Sequence, residues 1–266
     1  MPGKVDEIDY EVFGEEMQFV EITLDPGEAC IAEAGAFMFM EPGIELETIF
    51  GDGSKKQQQG SGGFLDSLLQ AGKRVLSGAS LFMTAFGNRA SERRKVAFAA
   101  PYAGKIIPVD LRQYGGVLIC QRETFLCAAK GISVGIEFQK RLGAGFFGGE
   151  GFILQKLEGD GLAFIHAGGT IVPKDLKAGE TLKLDTGCLV AMERSVTYDV
   201  QYVGNIKTAL FGGEGVFLAA LTGPGRVWIQ SLPFSRVADK IASFVMSRLP
   251  SQGGIGGALG GFGDRG

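Results

Sequence analysis

One histidine, four cysteines and a repeated glutamate carry most of the chemistry this chain could do. His166 is the only histidine, so neither a histidine-rich metal site nor a two-cysteine two-histidine zinc site can be assembled. It stands in an apolar run after a glycine-rich turn, and the matching position of an internal repeat holds Gln230. That exchange reads as a polar residue on a β surface rather than a general base. Cys30, Cys120, Cys127 and Cys188 show no Cys-x-x-Cys spacing. Cys120 and Cys127 read as buried free thiols in or beside strands, not as metal ligands. Glu150 and Glu214 could pair as carboxylates, but they occupy equivalent turns, where accepting backbone N–H groups is the simpler role. The surrounding Phe-Gly-Gly-Glu-Gly is no phosphate loop: it lacks the Gly-Lys-Ser/Thr end, and both copies precede strands rather than helices. No catalytic residue, metal or cofactor is expected.

The element that must position these residues is a duplication. Residues 146–167 read FFGGEGFILQKLEGDGLAFIHA, and residues 210–231 read LFGGEGVFLAALTGPGRVWIQS, without a gap. The repeat is marked by Gly148, Gly149, Glu150 and Gly151 against Gly212, Gly213, Glu214 and Gly215. In each copy a short apolar run, a glycine-rich turn and a second apolar run predict a β-hairpin. The turn glycines are expected to need positive φ or close backbone approach.

A second element repeats as well. LDPGEACIAEAGAFM at 24–38 matches LKAGETLKLDTGCLV at 176–190, and residues 103–111 match 168–176. A weaker copy of the apolar-glycine element occupies 80–87 and 96–99. Three units follow, 1–102, 103–168 and 169–233, each opening with a Gly-Glu hairpin and closing with the apolar-glycine hairpin. The fold class expected is all-β: three β-sandwich units in a pseudo-threefold arrangement. Pro26-Gly27-Glu28 resembles the cupin motif, but Cys30, Ala32 and Ala34 stand where metal-binding histidines are needed.

Composition agrees. The 43 glycines among 266 residues are about twice the usual share. They cluster at turns and in the tail, without a Gly-X-Y period. The net charge of −4 argues against a general nucleic-acid binder, which needs a basic surface. The N-terminus carries no secretory signal, no apolar run reaches the ~18 residues a membrane span needs, and a cytoplasmic address with reduced thiols is expected.

The first unit contains an insertion, 51–76. Its first part, GDGSKKQQQGSGG, is polar and without periodicity. Its second part predicts a short helix with Phe64, Leu65, Leu68 and Leu69 on one face. That helix either packs on its own sandwich or meets a membrane surface or partner, with Lys73 and Arg74 at the headgroups. After the third unit, 234–266 holds a helix and a glycine-rich tail. The helix at 235–249 has an apolar stripe of Val237, Ile241, Phe244, Val245 and Leu249, with Ser235 as its cap and Pro250 as its stop. The stripe is expected to dock on a sheet face or between subunits. The tail at 252–266 should be mobile by itself.

Phe-Gly-Gly-Glu-Gly-Phe, Leu-x-Gly-x-Gly-x-x-x-Ile, Ser-Leu-Phe-Met-Thr and Leu-x-x-Gly-Glu occur in order. Together they resemble the altered inheritance of mitochondria type, or mitochondrial-biogenesis twenty-four, family over about residues 8–233. The resemblance implies a fold similar to the tryptophan RNA-binding attenuation protein, with sandwiches of the double-stranded β-helix type in three copies. It brings no catalytic residues. Organellar members of such a family are tied to inner-membrane organisation; this chain has no transit peptide and looks like a bacterial cytosolic member, with peripheral contact at the inner membrane as an extension. The expectation is a non-enzymatic homo-oligomeric β-scaffold, a trimer, engaging partner proteins or a membrane surface. The alternative is a small-molecule binding module with a pocket between the repeats.

Overall fold

Short runs rich in Val, Ile, Phe and Leu, bounded by glycine or charge, extend because branched and aromatic side chains pack well on a pleated surface. In a computed structural model, which describes residues 5–33, 35–50, 82–140, 152–203, 216–246 and 248, nineteen such runs are strands and the chain is all-β. Among the described residues there is one α-helix, α1 (Phe234–Met246).

The first strands are β1 (Asp9–Phe13), β2 (Phe19–Leu24), β3 (Ala29–Glu33), β4 (Phe37–Met40), β5 (Ile44–Phe50), β6 (Phe82–Asn88) and β7 (Arg94–Ala99). Then come β8 (Gly104–Asp110), β9 (Val117–Gln121), β10 (Phe125–Ala129), β11 (Ser133–Lys140), β12 (Phe152–Glu158) and β13 (Leu162–Gly168). The last are β14 (Ile171–Leu176), β15 (Thr181–Asp185), β16 (Leu189–Glu193), β17 (Thr197–Val203), β18 (Val216–Thr222) and β19 (Gly225–Gln230).

Among the described residues the strands form four sheets, with orders β1-β2-β7-β4, β5-β6-β3-β10-β13-β8, β11-β12-β9-β16-β19-β14 and β15-β18-β17. Four kinds of antiparallel pairing recur along the chain. β2·β7, β8·β13 and β14·β19 are one kind; β3·β6, β9·β12 and β15·β18 are the next. β4·β7, β10·β13 and β16·β19 each carry an irregular step, and β5·β6, β11·β12 and β17·β18 complete the set. Two buried apolar clusters fill the space between sheets. The larger includes Val20, Ile22, Phe86, Phe98, Phe164 and Ile165; the smaller includes Leu154, Leu189, Val200, Leu221 and Val227.

The hairpin expectation is corrected. β12 and β13 are consecutive but do not pair with each other: β12 lies between β11 and β9, and β13 lies between β10 and β8. β18 and β19 are likewise in different sheets, as are β6 and β7. The Gly-Glu turn behaves the same way, since β2 and β3 belong to different sheets. Each glycine-rich turn is an arch that carries the chain across the core. The reason lies in burial: β12 and β13 are buried at nearly every position, and two such strands reach that state by facing one another across a sandwich with separate neighbours on both edges. The capping expectation also shifts. α1 begins at Phe234, after Pro233, so Ser235 sits in the first turn rather than at the cap.

Candidate functional site

The residues expected to make contacts, Phe64, Leu65, Leu68, Leu69, Lys73 and Arg74, lie outside the described residues, as do the turn residues Gly148, Gly149, Glu150, Gly151, Gly212, Gly213, Glu214 and Gly215. The capping role can be seen in another repeated glutamate. A Glu28 carboxylate oxygen accepts from the Asp25 N–H at 2.8 Å, and Glu180 accepts from the Lys177 N–H at 2.9 Å. Between cap and turn stand Gly27 and Gly179, with φ of 89° and 79°, where a side chain would be strained.

His166 is not a surface residue. It is buried on β13, with its ring 4.4 Å from that of Tyr102 in an edge-on contact. Tyr102 in turn lies 5.3 Å from the Phe234 ring at the start of α1. Neither imidazole nitrogen has a partner in hydrogen-bonding geometry. Burial lowers the His166 pKa to about 4, against a weaker upward pull from the Tyr102 backbone, so the ring is neutral at physiological pH. The equivalent Gln230 is also buried but fully engaged: its side-chain oxygen accepts from Gly168 N–H at 2.8 Å, and its nitrogen donates to Gly187 C=O at 2.9 Å. Nearby, burial raises Glu33 to about 7, with Arg122 pulling it down and Glu123 pushing it up. Burial, with Glu123, lifts Tyr102 to about 12.

Cys30, Cys120 and Cys127 are buried free thiols, and Cys188 is half-buried. Burial pushes all four thiols up, Cys120 to about 12. They are protonated at neutral pH and poor nucleophiles. Arg236 on α1 donates to Cys188 Sγ at 3.4 Å and to Asp185 Oδ2 at 3.1 Å, which ties the start of the helix to the end of β15.

Among the described residues, exposed large apolar side chains gather on α1 and on β4. On α1, Ile241, Phe244 and Val245 are 59%, 58% and 50% exposed, while Val237 is half-buried. Lys240 lies beside the stripe, and the Arg248 guanidinium sits 4.5 Å over the Phe244 ring. On β4, Phe37, Met38 and Phe39 are 44%, 50% and 38% exposed. Sequence reasoning did not single out β4. The signal was present: Phe37, Met38 and Phe39 stand where the aligned repeat has Leu189, Val190 and Ala191, all buried.

A family model described as mitochondrial biogenesis AIM24 matches residues 10–232. An uncharacterized protein of Streptococcus pyogenes serotype M6 is 28% identical over 235 residues, covering 86% of this chain and 88% of that protein. A Streptococcus pyogenes protein with an X-ray crystal structure superposes with a TM-score of 0.67 at 22% identity, over 90% of this chain and 100% of that one. The last similarity is one of fold.

Proposed function

We propose that this chain, which belongs to the mitochondrial biogenesis AIM24 family, works as a non-enzymatic homo-oligomeric β-scaffold that presents apolar helices to a membrane surface, with a partner protein as the other candidate surface. On this reading the strands form three copies of one six-strand sandwich unit of the double-stranded β-helix type, in pseudo-threefold arrangement. The recurrence of four pairings in three successive strand sets supports it.

The observation that carries the functional reading is the exposure of Ile241 and Val245 on α1. A helix of 13 residues with Ile241, Phe244 and Val245 exposed, and Lys240 and Arg248 beside them, has the composition of an interfacial helix. Among the described residues no helix is long and apolar enough to cross a membrane, so contact would be peripheral, from a cytoplasmic location. One such helix binds weakly; several on one oligomer bind through avidity. Co-sedimentation with phosphatidylglycerol vesicles tests this. Phe244→Asp should lower binding by roughly tenfold or more with the oligomer intact, since burying that ring contributes about 2 kcal/mol per copy. Binding unaffected by Phe244→Asp and Ile241→Asp would defeat the reading, and capture of a protein partner lost in the same variants would redirect it.

The small-molecule alternative has one observation in its favour: the buried His166 ring, whose nitrogens have no partner in good hydrogen-bonding geometry and feel only the nearby Tyr102 backbone, an arrangement that a polar ligand could complete. A metabolite-induced thermal shift abolished by His166→Phe would support it.

A further inference from the structure

We infer that the first turn of α1 is a root that fixes both the tilt and the roll of the helix, so that its apolar stripe is aimed from the body rather than tethered to it. The inference rests on the membrane reading above and deepens it, by naming what sets the direction of the docking face.

The helix is attached at one end. Pro233 is buried, Ser235, Val237 and Ala238 are half-buried, and every residue from Asp239 to Val245 is exposed. The attachment reaches three parts of the chain: the β7–β8 link, the β13–β14 link and the turn after β15. On the way into the helix, Ser231 N–H donates to Thr170 C=O at 3.0 Å and Leu232 N–H donates to Gly168 C=O at 3.2 Å. Thr170 N–H donates back to Ser231 Oγ at 2.9 Å. The approach is close. A Cβ on Gly168 would run into the Leu232 carbonyl, and one on Gly187 would come within 3.2 Å of Ser235 Oγ and 3.3 Å of Pro233 Cβ. A segment bonded through its main chain and packed this tightly has little room to swing.

Two side chains then grip the first turn. The Phe234 ring lies 5.3 Å from that of Tyr102, which is backed at 4.4 Å by the buried His166 ring. Arg236 donates to Asp185 Oδ2 at 3.1 Å, and to Cys188 Sγ and Ser231 C=O at 3.4 Å each. At about 100° per residue, Phe234 and Arg236 are about 200° apart around the helix axis. The turn is therefore held from opposite sides. An exposed ion pair by itself orients little; opposed to an aromatic seat, it stops the helix rolling about that seat.

Roll matters because the docking face continues from the root. At the same pitch, Phe234, Val237, Ile241, Phe244 and Val245 fall within about 100° of the circumference. Asp239 lies nearly opposite that face, Lys240 lies at its edge and Arg248 closes its end. The acid is turned away and the cations are kept near, which suits an anionic lipid surface. Since Phe234 shares the face with Ile241 and Val245, seating it on Tyr102 decides which way those two residues point. Each copy in an oligomer has the same root, so its helices keep one fixed relation to the body and can meet one plane together, the condition for avidity.

A phase test on the full chain separates an aimed helix from a tethered one. Two alanines inserted after Ala238 leave the root intact and turn the distal stripe by about 200°; four leave it about 40° from its starting direction and about 6 Å further out. Co-sedimentation with phosphatidylglycerol vesicles should fall roughly tenfold or more with two alanines and recover to within about threefold of the unmodified chain with four. Light-scattering mass and helical circular dichroism should hold in both. Equal binding by the two insertions overturns the inference. A second measurement needs no insertion. Ser243→Cys on a Cys188→Ser background carries a fluorescent maleimide, and its anisotropy decay is followed. With the root intact the probe should rotate with the whole molecule. Phe234→Ala with Arg236→Ala should add a fast local component, and Phe234→Tyr with Arg236→Lys should not. A fast component that dominates before the root is changed, or none after the alanine pair, also overturns the inference. Binding lost in Ile241→Asp but indifferent to the insertions refutes the aim and leaves the docking reading. Binding untouched by Ile241→Asp refutes the docking reading, and the anisotropy still decides the root.

Discussion

His166 and Glu33 pull the stability of the fold in opposite directions with pH. The His166 pKa falls from 6.5 to about 4 on folding. Between those values the unfolded chain takes up a proton that the folded chain refuses, so stability drops as pH falls through that window, by at most about 3 kcal/mol. Glu33 rises from 4.5 to about 7. Here the folded chain keeps a proton that the unfolded chain has released, so its contribution is full below 4.5 and is lost as pH rises through about 7. Urea titrations from pH 4 to 8 should show His166→Gln flattening the acid limb and Glu33→Gln flattening the neutral limb. An unchanged acid limb in His166→Gln would remove the histidine from the account. These roles were only partly legible in the sequence. Cysteine burial could be read from the apolar runs around Cys120 and Cys127. The burial of His166 could not, because Tyr102, which covers it, comes from the link between β7 and β8.

At the scale of elements, the strands of the repeated apolar-glycine element, β6, β7, β12, β13, β18 and β19, were legible, because apolar runs punctuated by glycine leave little choice. Partner choice was not. A glycine turn between two apolar runs serves a hairpin and an arch equally well, and only the sheets decide. Gly104, at the first position of β8, shows what the sheets demand. A Cβ there would run into the Ala167 carbonyl on the paired β13 and come within 2.7 Å of His166 Nε2. Gly104→Ala should therefore cost about 1–3 kcal/mol by forcing backbone apart. Gly179→Ala meets nothing within 4 Å and pays only for its positive φ of 79°, about 1–2 kcal/mol. Chemical denaturation of the two variants checks the order. Gly179→Asn should recover part of its loss, since Asn tolerates the left-handed region, whereas Gly104→Asn should recover none. The stripe of α1 was legible from its 3.6-residue period; its exposure was not, because a period says that one face is apolar and nothing about what covers it.

At the scale of the whole molecule, the described residues present two exposed apolar surfaces, and they differ in physics. The β4 edge offers Phe37, Met38, Phe39 and a row of main-chain groups; α1 offers an apolar stripe with Lys240 and Arg248 beside it. Strand pairing buries apolar area and forms hydrogen bonds between neutral groups, so salt should leave it intact. Attraction of two exposed cations to an anionic membrane is screened, because the Debye length shrinks from ~10 Å at 0.1 M salt to ~3 Å at 1 M. The two contacts should separate along this axis. Light scattering is expected to give one multiple of 28.1 kDa, a trimer on the sequence reading, that holds between 0.1 and 1 M sodium chloride. Binding to phosphatidylglycerol vesicles is expected to fall severalfold over the same range, with the apolar stripe supplying the remainder. Neutral phosphatidylcholine vesicles should show the weaker, salt-independent level throughout. An oligomer that dissociates as salt rises would mean that ion pairs, rather than apolar contact, hold the copies together.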